Sequence, residues 1–205
     1  MKAYIEPPRK IPVLLKIGIW IAESMVGKRL MAARILAWYP RAAVGAGILE
    51  SLVAHDEGRA TKRLLKLIRM QVSFSASCPF CIDMNSAGFS RENITDDEVE
   101  ALQGMKEPGE IQSFNDDERA ALEYARALTS TPIKLDNRVL EDVLGRFNEK
   151  EIVVIASTIA QVNFWTRLIQ GVGVPPSGFS ETCSVLRLED YSTLTGENSR
   201  RRQDP

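Results

Sequence analysis

Apolar residues recur at helical spacing along most of the chain, and this periodicity is the feature that most restricts the fold. Between about residues 60 and 74, apolar positions three or four apart are interleaved with basic side chains, as expected of an amphipathic helix. The sequence contains no run of alternating β-branched residues bounded by Asn-Gly or Asp-Gly turns. It therefore predicts an all-α fold. The apolar stripe consists of Leu64, Leu65, Leu67, Ile68 and Val72.

The same spacing predicts further helices, separated by proline, glycine and short polar turns. Pro40 closes the N-terminal segment, and glycines and prolines between residues 171 and 176 end the last long helix. A short helix is expected to begin at Cys78-Pro79, because proline is favoured at the first helical position. The other expected helices cover about residues 13–25, 30–38, 41–55, 60–74, 95–103, 116–129, 139–147 and 149–170.

Three of the expected helix starts carry a polar residue followed, three positions later, by glutamate. Such spacing allows the two side chains to bond each other's backbone N–H groups. The first pair has the sequence of a capping box, and the two that begin with asparagine are looser relatives of it. The pairs are Thr95 with Glu98, Asn115 with Glu118, and Asn148 with Glu151.

We divide the chain into an N-terminal helical extension over residues 1–40, a helical core over 41–176 and a polar tail over 177–205. Within the core, residues 66–73 resemble residues 151–158 when the two segments are aligned. This weak repeat has two interpretations. The core could contain two related helical units, of which only the first carries thiols, or two buried helices could share a pattern without common ancestry.

The composition excludes several kinds of functional site. The 205 residues include three cysteines and a single histidine, His55, so a His-rich metal site and a haem attachment motif are excluded. A net charge of −1 argues against a nucleic-acid surface built on bulk charge. The odd number of cysteines is untypical of a secreted disulfide framework. We therefore expect a cytoplasmic protein.

The N-terminal apolar stripe has two interpretations. The stretch over residues 11–22 is interrupted by Pro12 and Lys16, lacks a convincing cleavage site and is too short to span a bilayer. Its basic neighbours would permit contact with a membrane surface. Packing against the core or a neighbouring subunit is favoured, and we do not expect membrane contact. The stripe consists of Val13, Leu14, Ile17, Trp20 and Ile21.

The strongest functional signal is Cys78-Pro79-Phe80-Cys81, whose two-residue spacer brings both sulfurs within reach of a disulfide. Half a zinc site and a pair of inert core cysteines are the competing interpretations. Zinc would need two more ligands, and the sequence offers no second paired motif. Redox chemistry is favoured over both. Cys183 is expected to be a free thiol, with intermolecular pairing as the alternative.

Placement in the first turn of a helix would favour the thiolate, because unpaired N–H groups and the helix dipole stabilise negative charge there. On this argument Cys78, nearest the helix start, is the more acidic thiol. A thiolate attacks a disulfide sulfur or a peroxide, and the second cysteine resolves the product.

Residues 66–85, with the sequence KLIRMQVSFSASCPFCIDMN, resemble the signature segment of the alkylhydroperoxidase D / carboxymuconolactone decarboxylase family. Residues 117–128 and the segments EIVVI and NFWTRL are similar to the second half of that family. The resemblance covers about residues 40–176. It implies an all-helical fold, homo-oligomers and, in the branch with CxxC, a thiol-dependent peroxidase or disulfide reductase.

The resemblance also assigns roles to single residues. Cys81 matches the peroxidatic cysteine of the family and Cys78 its partner, in contrast to the dipole argument. The family places a glutamate twelve residues before the first cysteine and a histidine four residues after the second, and these relay protons. Here the two positions hold Lys66 and Asn85.

Lys66 and Asn85 cannot relay protons as the glutamate and histidine of the family do, because asparagine does not titrate and the pKa of lysine is about 10.4. Three interpretations follow. Lys66 could stabilise a thiolate electrostatically or simply lie on a basic helix face; another carboxylate, such as Glu50 or Asp83, could replace the relay; or activity could be lost while the fold persists. Asn85 could bond backbone groups or orient a substrate or water.

We therefore predict a thiol-disulfide oxidoreductase or alkylhydroperoxidase-like antioxidant protein, with Cys78, Cys81, Lys66 and Asn85 as site residues. No organic cofactor or metal is needed. The expected partners are a peroxide or disulfide substrate, an external thiol reductant of the lipoyl or small redox protein kind, and further copies of the chain. The alternatives are a non-catalytic or ligand-binding protein and, less favoured, a decarboxylase-type enzyme.

Overall fold

A computed structural model describes residues 3–51 and 56–180, and within these ranges it confirms the all-α prediction. The described backbone forms helices and turns without strands, apart from one isolated bridge between Glu57 and Ala60. Two short 3-10 turns cover Phe89–Glu92 and Pro108–Glu110. The α-helices are α1 (Val13–Val26), α2 (Met31–Leu36), α3 (Pro40–Ser51), α4 (Lys62–Ser75), α5 (Pro79–Ser86), α6 (Asp96–Leu102), α7 (Asp116–Thr129), α8 (Asn137–Arg146) and α9 (Glu149–Val172).

Most expected helices, α2 among them, lie within two residues of their observed bounds. Helix α2 ends at Leu36 rather than near residue 38, because Pro40 has no N–H to donate and the chain turns through residues 37–39 into α3. The expected helix over residues 41–55 is observed from Pro40 to Ser51, and its last four positions lie outside the described residues.

All three polar-to-glutamate pairs form complete capping boxes. In each, the side chain of the first residue accepts from the glutamate backbone N–H, and the glutamate carboxylate accepts from the first residue's N–H. The two asparagine pairs are thus full capping boxes rather than looser relatives. Two further caps were not foreseen from the sequence: Thr61 at the start of α4 and Asp136 at the start of α8.

Helix α4 lies at the centre of the molecule, where it packs against α5, α7 and α9. The predicted apolar stripe is at most 1% exposed. Leu64 and Ile68 belong to a core cluster that also contains Ile155 and Ile159 of α9, and Leu67 belongs to a second cluster beneath α6. The apolar stripe read from the sequence is therefore the contact surface that organises the other helices.

Helix α9 is long and apolar enough to cross a membrane, judged by length and composition alone. One side of it packs against α4, α5 and α7. The same composition is expected of a core helix, and the packed side of α9 contributes Ile155 and Ile159 to the core.

Arg63, near the start of α4, joins the N-terminal ends of α6 and α7. Its guanidinium donates to Glu98 Oε1 at 2.5 Å and to Glu118 Oε1 at 2.7 Å. Burial alone would raise the pKa of Glu98, but hydrogen bonds from Arg63, Ser113 and the Thr95 backbone outweigh burial and lower that pKa. The glutamates of two capping boxes are therefore also the acceptors of a tertiary contact.

We expect Arg63→Ala to lower the free energy of unfolding by about 3 kcal/mol, because it leaves two buried carboxylates without their cation. The part of the loss that depends on Glu98 should be full above pH 4.5, the usual pKa of this carboxyl group, and should shrink as the pH falls below it and Glu98 becomes protonated. Urea unfolding of both proteins across pH measures this difference.

Arg138→Ala is the matched control, because Arg138 pairs with Glu123 on the exposed surface. This variant should unfold like the wild type. Equal stabilities of Arg63→Ala and Arg138→Ala at neutral pH would contradict the structural role of Arg63.

Candidate functional site

A break between α4 and α5 positions the two thiols. Helix α4 ends at Ser75, and Ser77 adopts a left-handed backbone with φ of 48°. The Cys78 N–H donates back to the Ser73 carbonyl at 3.2 Å, and Pro79 then starts α5. The prediction that the thiols lie in the first turn of a short helix is confirmed.

Cys78 is the N-cap residue of α5, and its Sγ accepts a hydrogen bond from the Cys81 N–H at 3.4 Å. The two sulfurs lie at disulfide-forming distance, with Cα atoms 5.3 Å apart. This Cα separation is within the usual range for a disulfide. The local fold therefore allows the pair to close into a disulfide without a backbone rearrangement.

Both cysteines are buried: Cys78 is 0% and Cys81 is 3% exposed. They belong to an apolar cluster formed by α5, the end of α9 and parts of the chain from both sides of the core. Helix α2 contributes Ala32 and Ile35, and the chain after α9 contributes Val174. The cluster is completed by Phe80 and Ile169, with Ala3, Met31, Met84, Trp165, Val172 and Phe179 packed against it.

Asn85 connects α5 to α4. Its Nδ2 donates to Ser73 Oγ at 2.9 Å, and that hydroxyl donates to the Arg69 carbonyl at 2.7 Å. Ser73 is fully buried and also supplies the carbonyl that receives the Cys78 N–H. The predicted site residue Asn85 thus shares Ser73 with the thiol pair. Ser73 itself was not identified from the sequence, since a helical serine carries no distinctive signal.

Lys66 contacts the opposite end of α5. Its Nζ donates to the Ala87 carbonyl at 2.8 Å, immediately after the last helical residue, Ser86. A rise of about 1.5 Å per residue places this carbonyl roughly 9 Å along the chain from Cys81. A lysine at the carboxyl end of a helix satisfies an open carbonyl and is favoured by the dipole. This contact gives Lys66 a structural function that the sequence did not indicate.

Glu50, one of the carboxylates considered as a replacement relay, forms a polar group between α3, α4 and α9. Its Oε2 accepts from Gln161 Nε2 at 2.6 Å, Trp165 lies against the same carboxyl group, and the charge of Arg69 acts on it. Burial of the carboxyl group raises the pKa of Glu50, and the positive charge of Arg69 only partly offsets this. Trp165 also packs against the apolar cluster that contains the two cysteines, so it links the Glu50 group to that cluster.

Asp83, the other carboxylate considered, is buried and holds the chain that follows α9. Its two carboxylate oxygens accept from the backbone N–H groups of Ser177 and Ser180, each at 2.8 Å. Two predictions cannot be placed, because His55 and Cys183 lie outside the described residues.

In the part of the chain that the structure describes, no group of three or more His, Cys, Asp or Glu side chains is arranged to hold a metal ion. The expectation of a site without metal or organic cofactor stays a prediction.

No model of a protein family matches the chain. Among curated proteins, the uncharacterized protein YnjA of Escherichia coli (strain K12) is 23% identical over 177 residues, which cover 85% of this chain and 94% of that protein.

Solved structures share the fold. The debrominase Bmp8, as a cysteine-to-alanine variant in complex with 2,3,4-tribromopyrrole, superposes with a TM-score of 0.71 and 21% identity over 96% of this chain and 98% of its own. A peroxidase-related protein from Ralstonia eutropha JMP134, described as an alkylhydroperoxidase AhpD core, superposes with a TM-score of 0.71 and 15% identity over 85% and 92%. The chain therefore has the AhpD-like helical fold.

Proposed function

We propose that the protein is a thiol-disulfide oxidoreductase in which Cys78 and Cys81 alternate between dithiol and disulfide, with an alkyl hydroperoxide or a disulfide as oxidising substrate. The observation that carries the proposal is the position of both sulfurs at bonding distance in the first turn of α5. The AhpD-like fold of structures described as peroxidase-related supports it.

The peroxide reaction is balanced by the two thiols. One thiolate attacks a peroxide oxygen, so that an S–O bond forms, the O–O bond breaks and the leaving alkoxide takes a proton to become an alcohol. The second thiolate attacks the sulfenic sulfur, an S–S bond forms and water leaves. An external dithiol then exchanges with the disulfide, restores the two thiols and is itself oxidised. A lipoyl group or a small redox protein suits this role.

Two considerations bear on which cysteine attacks first, and they disagree. The Cys81 N–H donated to Cys78 Sγ favours negative charge on that sulfur, as does the N-cap position. The family resemblance assigns the attack to Cys81 instead. We propose the pair as the reactive unit in either order. A reducing cytoplasm, where thiols are kept as dithiols between turnovers, suits this cycle.

A second candidate reaction uses the same dithiol. The thiols are surrounded by Phe80, Trp165 and Phe179, and the structural match to a debrominase extends over 96% of this chain. Reductive debromination of an aromatic ring would transfer bromine from carbon to one sulfur while the ring carbon takes a proton. The second thiolate would then displace bromide and form the disulfide.

Turnover by cysteine variants tests the proposal. We expect Cys78→Ser and Cys81→Ser each to lower reduction of cumene hydroperoxide at least ten-fold in the presence of an external dithiol, because the sulfenic acid then has no neighbouring thiol to resolve it and must wait for the external one. Cys183→Ser is the control and should retain the wild-type rate. Peroxide, disulfide and bromoaromatic substrates are assayed in parallel, and activity with the bromoaromatic alone would select the second reaction. If the wild type turns over none of them, the oxidoreductase proposal is wrong and a ligand-binding protein becomes the better interpretation.

Glu50 is the proposed proton donor to the leaving alkoxide, because its raised pKa keeps the carboxylic acid present at higher pH than an ordinary glutamate. Glu50→Gln should lower peroxide turnover about 100-fold, within the usual range for removal of a general acid. Iodoacetamide alkylation of the reduced thiols should be unaffected. Glu149→Gln, on the exposed start of α9, is the control variant. Unchanged turnover by Glu50→Gln would remove Glu50 from the reaction.

Lys66 is tested by separating its charge from its hydrogen bond. If its charge stabilises a thiolate, Lys66→Ala and Lys66→Gln should both move the alkylation midpoint of the reactive thiol to higher pH. If its function is the bond to the Ala87 carbonyl, glutamine can replace it, and only the alanine variant should change, through lower stability. Alkylation rates across pH, with thermal unfolding of each variant, distinguish the two.

Homo-oligomerisation through α1 is also proposed. This helix buries only Ile19, so the stripe expected to pack on the core or on a neighbouring subunit is exposed in the single chain. Exposed apolar patches of this kind mark interaction surfaces. Leu14 is 84% and Trp20 is 66% exposed. Ile17, Ile21 and Met25 are exposed on the same helix.

Light scattering should give a mass at least twice the 22.8 kDa of one chain. The double substitution Leu14→Glu and Trp20→Glu should reduce it to the mass of a monomer, because burying two carboxylates at the contact is unfavourable. Met105→Glu replaces an equally exposed apolar residue elsewhere and should leave the mass unchanged. A monomeric wild type would contradict this proposal.

A further inference from the structure

The chain that follows α9 packs against the apolar cluster that contains the thiol pair. Gly173 ends the helix in a left-handed conformation, and the Val174 N–H donates to the Ile169 carbonyl at 3.1 Å. Val174 is buried in the cysteine cluster, and Phe179 packs against that cluster five residues later. We call residues 174–180 the strap.

Asp83 holds the strap from the side of α5. It lies two residues after Cys81, is buried, and accepts the N–H groups of Ser177 and Ser180 at 2.8 Å each. A carboxylate that accepts two backbone N–H groups forms charge-assisted hydrogen bonds, which are among the stronger ones in proteins. The same short helix therefore carries both the thiols and the anchor of the chain that covers them.

Lys28 holds the strap from the opposite side. Its Nζ donates to the carbonyl oxygens of Ser177, at 3.3 Å, and of Gly178. The ammonium group also lies 5.1 Å from the centre of the Phe179 ring, a cation–π geometry. Lys28 belongs to the turn between α1 and α2, so the N-terminal extension takes part in closing the strap.

Phe179 places the strap on the CxxC motif itself. Its ring packs edge-on against Phe80, with centroids 6.1 Å apart and planes at 88°. Phe80 lies between the two cysteines in sequence, and both cysteines are almost fully buried. Thiols with this exposure cannot meet a substrate or a protein reductant unless the cover moves.

We propose that the strap is a gate over the dithiol: it closes the pair when Asp83, Lys28 and Phe80 hold it, and its release admits the substrate and the reductant. This inference takes the thiol pair as the reactive group and so rests on the proposed function. Opening requires that two N–H groups and two carbonyl oxygens exchange their protein partners for water and that the Phe179 ring leaves Phe80 and Lys28. Backbone groups near the surface make that exchange at small cost compared with unfolding of the core.

The test measures access to the thiols rather than turnover. Reduced protein, in a Cys183→Ser background, is alkylated with iodoacetamide across pH, and the limiting rate at high pH is separated from the midpoint. The limiting rate reports opening, while the midpoint reports thiolate stability. We expect Phe179→Ala, Lys28→Met and Asp83→Asn each to raise the limiting rate at least ten-fold. Lys16→Met, an exposed lysine of α1, is the control and should match the wild type.

Asp83→Asn removes a negative charge near Cys81 and could accelerate alkylation through the midpoint alone. Phe179→Ala leaves all charges unchanged, so it decides between access and electrostatics. Circular dichroism and thermal unfolding verify that each variant is folded, and Lys28→Met, at an exposed position, decides the outcome if Asp83→Asn does not fold. A second measurement is the rate at which dithiothreitol reduces the Cys78–Cys81 disulfide, which should rise in parallel.

In the wild type, the strap should slow a bulky maleimide more than it slows iodoacetamide. This dependence on reagent size should disappear in Phe179→Ala. The proposal is overturned if the wild type reacts as fast as a short CPFC peptide, or if Phe179→Ala and Lys28→Met react like the control. If the protein does not turn over peroxide but the strap variants are alkylated faster than the wild type, the proposed reaction is wrong and the proposed gate is supported.

Discussion

Burial of α4 between α5, α7 and α9 is the constraint on which the rest of the structure depends. Its apolar stripe fills the space between the other helices. At its start, Arg63 donates hydrogen bonds to the capping glutamates of α6 and α7. With α4 held in this way, the position where it ends is also fixed in space. The left-handed Ser77 and the Cys78 N–H bonded to Ser73 then direct the next helix, and with it the thiols, back against α4 and α9.

The two positions that relay protons in the resembling family have structural contacts here. Lys66 binds the carbonyl at the end of α5, and Asn85 binds the Ser73 hydroxyl, so both join α5 to α4. A lysine and an asparagine can make these contacts permanently because neither has to change protonation state near neutral pH. Of the two carboxylates considered as a replacement relay, Asp83 binds backbone N–H groups of the strap, and burial raises the pKa of Glu50.

Burial of the thiols protects them from oxidants that cannot reach them. A thiolate at a helix start is reactive toward any oxidant that reaches it, and over-oxidation past sulfenic acid is irreversible for most proteins. An apolar cover that moves on demand limits encounters to molecules able to displace it. Helix α2 and the chain after α9, which are far apart in sequence, both contribute to this cover.

The all-α fold, most helix bounds, the positions of the three polar-to-glutamate caps and the placement of Cys78 and Cys81 in a first turn could be predicted from the sequence. They depend on residues within one or two helical turns of each other, and such contacts are encoded in local spacing. The functions of Asp83, Lys28 and Phe179 could not be read in the same way. Asp83 and Ser177 are 94 positions apart, and Lys28 and Gly178 are 150 apart, so no periodicity links them. The sequence by itself determined which helix carries the thiols. Only the tertiary structure decided what covers them, because the contacts that form the cover arise when helix packing brings residues 28–35 and 174–180 to the same cluster as α5.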